Sequence, residues 1–446
     1  MDERLQVFRR SLCILLTLMF AAPAMAAAGS DPMLADQWAL ADPGAVGAAE
    51  AWSQSDGAGA LVAILDTGMQ LDHPDLAANV WTNPGEVAGN GIDDDRDGIV
   101  DDVHGANMFD LSADVDDDNG HGTHVAGIVA ARRGNGIGGS GLAPAAKIMP
   151  VKVLASDMTG TTDTLAMGIR YAVDRGAKIL NVSVNTDAAT ETVKAAVRYA
   201  GEHGAIVVAS AGNNGRDIDE APSFPASLSD PAVFSIGAVN PQGLLWSLSN
   251  TGQRSVDIAA PGDHIVSTAR NSAYQSRTGT SAAAPFVSAS LALLSSVRPD
   301  LPMSELRAAI QATTHNSSAL SAVLGGGRLD VGAAMHRVLA GRPWRTAPAA
   351  ATTASTAPAT LLLHMATRVR IGRRVTLRWT TSGTAAITQW RVSLDGKVVA
   401  TLRAGSAGVS RRIFRAGRHH WRVVGFDAAG AKLLAAKRAF RAVRAH

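Results

Sequence analysis

Short apolar runs that alternate with amphipathic helical patterns are the feature that most constrains the fold of this chain. Runs rich in Val, Ile, Leu and Ala, such as these, are typical of strands buried on both faces of a parallel sheet. They lie at residues 61–65, 148–154, 177–184, 205–210 and 233–239, and helical spacing of apolar residues recurs at 164–175 and 191–203. This alternation predicts an α/β fold with a doubly wound, mostly parallel sheet. Functional residues are then expected at the carboxyl ends of its strands.

The composition fits this expectation and excludes a disordered chain. Hydrophobic residues make up 46% of the 446 residues, charged residues 18% and aromatic residues only 4%. Ala and Val therefore carry much of the core, which suits close contact between helices and a sheet. The length allows more than one domain.

The N-terminus has the pattern of an export signal. Two arginines precede an apolar run at residues 12–20, and small residues follow at 24–26. We expect residues 1–26 to be a signal peptide, and the protein to be secreted, extracellular or periplasmic, without a membrane span after cleavage. A membrane anchor is the alternative, but the run is short and ends at Pro23. The single cysteine, Cys13, lies inside it, so the mature chain has no disulfide.

A second domain is expected after an interruption in the pattern. Residues 31–341 form the α/β domain, and the composition of residues 342–360 indicates an extended Ala/Thr/Pro linker. Short β-type runs then predict a small all-β sandwich of the immunoglobulin or fibronectin kind at 361–446. This region has eighteen Lys and Arg against two Asp. Its basic surface either binds an anionic partner, such as a cell-envelope surface, nucleic acid or substrate, or is merely solvated.

Three residues in the α/β region stand in positions suited to catalysis. Asp66 ends an apolar run, and a carboxylate at the tip of a buried strand is costly without a partner. His121 lies in a segment of small residues, which lets a helix start close against the sheet. Ser281 precedes an apolar helix, so backbone N–H groups at that helix start favour negative charge beside its hydroxyl.

Each of these residues also has an ordinary structural interpretation. Asp66 fits a turn, Ser281 fits a helix cap, and His121 with His124 fits a pair of metal ligands. For His124 we expect a packed or hydrogen-bonded side chain instead. The order Asp, His, Ser along an α/β pattern favours a nucleophilic catalytic triad over these interpretations.

Several longer segments resemble the subtilisin-like serine proteases (subtilases, peptidase S8 family). The resemblance covers roughly residues 31–340 and rests on segments 63–68, 73–76, 121–127, 211–213, 256–262, 279–285 and 327–331. It implies the subtilisin-like fold, polypeptide substrates and a monomer. Residues that resemble a mature family N-terminus follow the expected cleavage site almost directly, so we expect no inhibitory pro-domain between them.

The resemblance implies a role for each catalytic residue. Ser281 is the nucleophile that forms an acyl-enzyme, His121 is the general base and acid, and Asp66 orients the histidine. Asn213 contributes to the oxyanion hole. One alternative is a catalytically inactive relative that binds or scaffolds. An esterase or lipase is another, but that class usually shows G-x-S-x-G and places its histidine last.

The resemblance also implies a substrate-binding region, where this chain departs from the family pattern. The residues concerned are Ser183, Val184, Asn185, Ser210, Ala211, Gly212 and Ser223. Relatives usually carry Gly where this chain has Asn185 and Thr186. A side chain at Asn185 either narrows the cavity for the residue before the cut or forces a different backbone angle. The small walls favour an apolar residue there.

An acidic segment between Asp66 and His121 predicts a structural Ca²⁺ site. Its hard oxygen ligands have the spacing of a calcium loop: Asp93, Asp95, Asp97, the Ile99 carbonyl and Asp101. The usual terminal Glu is missing, because His104 stands in its place. The family resemblance adds Asp75 as a calcium ligand. A solvated acidic loop is the alternative.

Overall fold

The computed structural model describes residues 31–323, 327–340 and the strands of the C-terminal region between 360 and 443. The chain divides into two compact units, with the boundary between Trp344 and Arg345. The expected signal peptide lies outside the described residues, as does the expected linker apart from Thr360.

The described helices and strands of the first unit follow the predicted alternation. The helices are α1 (Trp38–Ala41), α2 (Ala48–Trp52), α3 (His121–Ala130), α4 (Thr162–Asp174), α5 (Glu191–Glu202), α6 (Thr280–Val297), α7 (Met303–Ala312) and α8 (Val331–Leu339). The strands are β1 (Leu61–Asp66), β2 (Ala106–Asn107), β3 (Lys147–Lys152), β4 (Ile179–Val182), β5 (Ile206–Ser210), β6 (Val233–Val239), β7 (Ile258–Pro261), β8 (Ile265–Ala269), β9 (Ala273–Arg277), β10 (His315–Asn316) and β11 (Gly327–Arg328).

Nine of these strands form one twisted sheet in the order β10-β11-β7-β6-β5-β4-β1-β3-β2. Its neighbours pair in parallel, except for the antiparallel pair β10–β11. Strand β1 has β3 on one side and β4 on the other, so the winding direction reverses there. The predicted doubly wound, mostly parallel sheet is confirmed. In such sheets, ligands bind at the carboxyl ends of the strands beside the reversal.

The sheet is covered on both faces, which explains why its strands are apolar throughout. In β1, Val62 and Ile64 join a core that includes α3 and α6, while Ala63 and Leu65 join a second core with α4 and α5. Successive side chains of a strand point to opposite faces, so one short run supplies both cores.

Helix α6 is the longest and most apolar helix of the described residues. By length and composition it is the one described helix that could cross a membrane, with a mean hydropathy of 1.4. It packs against β4, β5, β6 and β7, and 78% of it is buried inside the protein. Its apolar character is therefore that of a central core helix, most of which is surrounded by other protein.

The second unit contains strands in two sheets. Its described strands are β12 (Thr360–His364), β13 (Arg368–Arg370), β14 (Arg374–Ser382), β15 (Gln389–Leu394), β16 (Lys397–Arg403), β17 (Gly408–Arg412), β18 (Gly417–Phe426) and β19 (Lys432–Val443). The sheets have the orders β12-β14-β17 and β13-β19-β18-β15-β16 and are antiparallel apart from the pair β13–β19. One core unites Leu377 of the first sheet with Trp390 and Trp421 of the second. The expected small all-β unit is therefore present.

Candidate active site

One edge of the large sheet collects the residues that the sequence singles out. Strand β1 ends at Asp66, β5 ends at Ser210, and Ser183 follows directly after β4. Helix α3 begins with His121. Ser281 is the second residue of helix α6. Carboxyl ends of parallel strands thus meet helix starts, where polar backbone groups are free to bind a substrate.

Asp66 and His121 form a close, buried pair. The His121 Nδ1 atom lies 2.7 Å from Asp66 Oδ1 and 2.9 Å from Oδ2. Asp66 is fully buried, and its Oδ1 also accepts the Thr67 backbone N–H at 2.8 Å. A carboxylate on Nδ1 favours the tautomer with its proton on that atom. The Nε2 atom is then left as a proton acceptor.

A second buried carboxylate, which no sequence motif singled out, holds the start of α3. Asp117 accepts hydrogen bonds from Gly120 N, from the Thr123 N–H and hydroxyl, and from the Thr67 hydroxyl, at 2.6–2.8 Å. Burial raises the pKa of Asp117, but these bonds outweigh burial and leave the pKa below its usual value. Because Thr67 follows Asp66, Asp117 ties the aspartate segment to the histidine helix. The signal in the sequence that could have identified Asp117 is its position four residues before His121.

Ser281 is anchored through its backbone carbonyl. Pro285 lacks an N–H group and therefore cannot bond the carbonyl four residues earlier, which is that of Ser281. The hydroxyl of Ser183 lies 3.2 Å from this oxygen and donates to it. Asn181 in β4 donates to the Ser183 hydroxyl at 2.9 Å and accepts from Ser288 of α6. The start of α6 is thereby fixed to β4, the strand that precedes Ser183.

Within the described residues, no hydrogen bond joins the Ser281 hydroxyl to the His121 ring. His121 is bonded through Nδ1 to Asp66, and no partner of its Nε2 atom is present in this part of the chain. In enzymes without substrate, such contacts are often long and tighten when the substrate binds.

Asn213 is oriented by its side-chain oxygen. Asn213 Oδ1 accepts from the Thr280 backbone N–H and from the Thr280 hydroxyl, both at 2.8 Å. The Thr280 hydroxyl in turn accepts from Gly212 N at 3.0 Å. This arrangement makes Nδ2 the outward-facing donor of an exposed side chain. The Asn213 amide thus contacts Thr280, the residue that directly precedes Ser281.

The expected substrate-binding residues come together around two chain segments. Residues 183–185 continue from β4, and residues 210–212 continue from the end of β5, whose pairing with β4 stops at Val182 and Ala209. Ser223 is buried, and its hydroxyl lies 3.4 Å from where a side-chain carbon at Gly212 would be. Gly212 directly precedes Asn213, and the Ser183 hydroxyl donates to the Ser281 carbonyl. Both segments therefore lie next to the start of α6.

His124 serves packing, as expected, and not ligation together with His121. It is buried, and its Nε2 atom lies 3.0 Å from the Ile265 carbonyl of β8. Burial, reinforced by the positive charge of Arg277, lowers the pKa of His124 to about 3. The ring is therefore neutral at ordinary pH and joins α3 to the β8–β9 hairpin.

The acidic segment brings together only part of its predicted ligand set. Carboxylate oxygens of Asp93, Asp95 and Asp97 lie within 4.8 Å of one another. Asp101 is turned away and accepts the N–H groups of Gly89 and Gly91 at 2.8 and 3.0 Å. Its φ of 56°, in the left-handed region, directs the side chain there instead of toward the other three. Asp101 therefore does not complete this group.

A cation of the protein itself reaches into the same acidic segment. Arg175, just after α4, lies 2.5 Å from both Asp95 and Asp97 and 3.8 Å from Asp102. Burial raises the pKa of Asp102 to about 6, against the hydrogen bond from Tyr171. No sequence pattern pointed to Arg175, because it lies 80 residues from Asp95.

Glu86 adds another oxygen ligand on this side of the segment. Carboxylate oxygens of Glu86, Asp95 and Asp102 also lie within 4.8 Å of one another. The buried Glu86 Oε2 atom has no hydrogen-bond partner in the described residues. An oxygen-only donor set with an unsatisfied buried carboxylate fits a hard cation such as Ca²⁺.

Asp75 lies apart from this acidic segment. Its carboxylate accepts from Asn135 Nδ2 at 2.6 Å and from the Tyr274 hydroxyl at 2.9 Å. Asp31 accepts the N–H groups of Gly134 and Asn135 in the same loop. Asp75 and Asp31 thus both bind the loop at residues 134–135, and Asp31 is a neighbour that the sequence did not reveal.

Comparison with known proteins agrees with this architecture. The sequence profile of the Subtilase family (Peptidase_S8) matches residues 57–328. Thermitase of Thermoactinomyces vulgaris is 36% identical over 288 residues, which are 65% of this chain and 92% of thermitase. The cell wall-associated protease of Bacillus subtilis (strain 168) is 39% identical over 58% of this chain, but only 26% of that longer protein is covered.

A solved structure extends the likeness to three dimensions. It is a structure of proteases from Pseudoalteromonas arctica PAMC 21717, and it superimposes with a TM-score of 0.59 at 28% sequence identity. The match covers 70% of this chain and 99% of that chain. Since the family profile spans more than half of the sequence and one relative is covered almost completely, the chain belongs to the subtilase family of serine endopeptidases.

Proposed function

We propose that this protein is a secreted serine endopeptidase whose acyl-enzyme forms on Ser281. His121 Nε2 takes the proton of the Ser281 hydroxyl as oxygen attacks the peptide carbonyl. It then gives that proton to the departing amine, and water reverses the sequence to release the acid. Asp66 keeps the imidazole oriented and stabilises its cation. Asn213 Nδ2 and the Ser281 N–H bind the oxyanion.

The observation that carries the proposal is the buried Asp66–His121 pair at the start of α3, beside the start of α6. A fully buried carboxylate in two-atom contact with one imidazole nitrogen orients that ring and stabilises its cation, which is what base catalysis through Nε2 uses. The filled triad and oxyanion positions thus argue against an inactive binding or scaffold protein.

Secretion is supported by the sequence of residues 1–26, with its basic start, apolar run and small residues. The name of the Bacillus subtilis relative, a cell wall-associated protease, agrees with a location outside the cytoplasm. Substrates are polypeptides that pair as an extended strand beside residues 183–185.

Covalent labelling and proteolysis test the catalytic proposal together. We expect a fluorophosphonate probe to label the wild-type protein, and the protein to digest casein. Ser281→Ala removes both signals while the folded state persists. A purified Ser281→Ala protein that still digests casein contradicts the assignment. A folded wild type with neither signal supports the inactive alternative.

We also propose that the acidic segment binds a structural Ca²⁺. Asp93, Asp95 and Asp97, with the Ile99 carbonyl, would hold the ion, and Glu86 is the nearby unsatisfied oxygen. A bound divalent cation would neutralise the negative charge of this segment that the single positive charge of Arg175 does not balance. Asp75, which the family resemblance implies as a calcium ligand, lies apart from this segment and would belong to a separate site.

A further inference from the structure

The position of the oxyanion determines where the substrate residue before the cut must lie. Its carbonyl oxygen sits between Asn213 Nδ2 and the Ser281 N–H in the proposed mechanism. Its side chain therefore leaves from a point close to Ser281 and away from His121, which protonates the departing amine. Residues 183–185 and 210–212 flank this point, because Ser183 contacts Ser281 and Gly212 precedes Asn213. The gap between these two segments is the space that remains.

The side chain of Asn185 crosses this gap. Its Nδ2 donates to the Ser210 carbonyl at 2.7 Å, and its Oδ1 accepts from the Ser210 hydroxyl at 3.2 Å. Both polar atoms of one amide thus bond one residue of the opposite segment. Asn185 is exposed, whereas Ser210 is 1% exposed. The amide therefore lies on the solvent side of the gap, where a substrate side chain must enter.

The backbone around Asn185 is held in place. Thr186 and Phe224 exchange two backbone hydrogen bonds, each of 2.8 Å, immediately after Asn185. Before it, Ser183 is fixed to Ser281 and Asn181. Asn185 itself is not among the residues with positive φ, so its backbone needs no glycine. Of the two expected effects of this side chain, the structure favours narrowing of the gap over a changed backbone angle.

We propose that Asn185 is a specificity-determining residue that closes the gap as a crossbar and restricts the residue before the cut to small side chains. This inference rests on the proposed peptidase function. The small walls alone favour a roomy apolar cavity. The Asn185–Ser210 bridge spans the gap between these walls, so a large side chain enters only after both bonds break, which leaves the buried Ser210 carbonyl without its Asn185 partner.

Peptide p-nitroanilides of the series Ala-Ala-Pro-X, with X as Ala or Phe, test this directly. For the wild type, we expect kcat/KM to be at least about tenfold higher with Ala than with Phe. Asn185→Gly removes the crossbar, and we expect the Phe/Ala ratio of kcat/KM to rise about 10–100-fold. The Ala substrate, which does not need the full gap, serves as the internal reference.

Two further variants separate the loss of the Asn185 side chain from the effect of introducing glycine. Asn185→Ala keeps a side-chain carbon and the ordinary backbone, and we expect the same direction of change. Asn271→Gly is the matched control, because Asn271 is exposed in the β8–β9 turn and has a φ of 60° that glycine readily adopts. We expect its Phe/Ala ratio to equal that of the wild type.

The outcomes separate this inference from the function on which it depends. A wild type that cleaves the Phe substrate as well as the Ala substrate overturns the crossbar. An unchanged ratio in both active Asn185 variants overturns it as well, while the peptidase function stands. A wild type that cleaves neither peptide and takes no fluorophosphonate label removes the proposed function itself.

Discussion

Two side chains of the proposed site, His121 and Asn213, are each oriented by a hydrogen bond at one polar atom, which leaves the other polar atom available to a substrate. Asp66 binds the Nδ1 atom of His121, so Nε2 remains as the proton acceptor. The Thr280 N–H donates to Oδ1 of Asn213, so Nδ2 remains as the donor. Neither choice needs the substrate, so little reorganisation remains when negative charge develops. Such preorganisation is where electrostatic catalysis gains most.

Loss of the Asn213 amide should therefore affect turnover far more than folding. For Asn213→Ala, we expect kcat to fall by about 10²–10³-fold with a small change in KM, because the donor acts mainly in the transition state. Steady-state kinetics with a peptide p-nitroanilide measure this effect. The matched control is Asn214→Ala, since Asn214 is also exposed and its side chain has no hydrogen bond in the described residues. Equal losses in both variants would contradict the assigned role.

His124 makes stability depend on pH. Its folded pKa of about 3 lies below the ordinary value of 6.5, so between these values the unfolded chain binds a proton that the folded protein excludes. Its contribution to stability is complete above pH 6.5 and is lost progressively as pH falls toward 3. The slope is about 1.4 kcal/mol per pH unit.

We therefore expect His124→Gln to flatten the pH dependence of unfolding. Between about pH 7 and pH 5, the wild type should lose about 2 kcal/mol more stability than the variant. Urea unfolding, with Ser281→Ala in every protein to prevent autolysis, measures the difference. His336→Gln is the control because His336 is exposed at the end of α8. Parallel pH profiles for the wild type and His124→Gln would refute the prediction.

At the scale of elements, the acidic segment is joined to the sheet layer by α4. Arg175 follows the last residue of α4, and its guanidinium contacts Asp95 and Asp97. Burial opposes its charge, but the hydrogen bond and negative charge of Asp97 raise the pKa of Arg175 above its usual value. Arg175 thus supplies a fixed positive charge to the loop at which we propose a Ca²⁺ site.

Removal of this fixed cation should make the loop depend more strongly on calcium. With EDTA present, we expect Arg175→Gln to lose about 1–3 kcal/mol of stability, because part-buried carboxylates lose their partner. Added Ca²⁺ should then raise the Tm of this variant more than that of the wild type. Thermal unfolding in the Ser281→Ala background measures both effects.

The control for this experiment is Arg198→Gln, an exposed position on the neighbouring helix α5. It should leave the calcium response unchanged. A wild type whose Tm is the same in EDTA and in Ca²⁺ would rule out a stabilising calcium site. If Ca²⁺ raises the Tm of Arg175→Gln by the same amount as that of the wild type, Arg175 and Ca²⁺ act independently.

At the scale of the whole molecule, the chain separates into two compact units, each with its own core. All the residues that we propose to be catalytic or substrate-binding belong to the first unit. Units with separate cores can generally fold alone.

We therefore expect a chain that ends at residue 341 to keep its catalytic activity. Its kcat/KM for a small peptide substrate should remain within about twofold of the full-length value, and it should unfold in one transition. Full-length and shortened proteins are compared by peptide kinetics and calorimetry. A shortened chain that is folded but inactive would show that the second unit contributes to the active site.

The sequence by itself determined the α/β class and the two-unit organisation, and it singled out the segments of the proposed triad. These follow from local patterns: apolar runs, helical spacing and short motifs around Asp66, His121 and Ser281. The tertiary structure alone decided that Asn185 bridges to Ser210, that Asp117 holds α3, and that Arg175 enters the acidic segment. Such contacts join residues that chain folding brings together from far apart, as with Arg175 and Asp95, 80 positions from each other. Local periodicity carries no information about which distant side chains become neighbours.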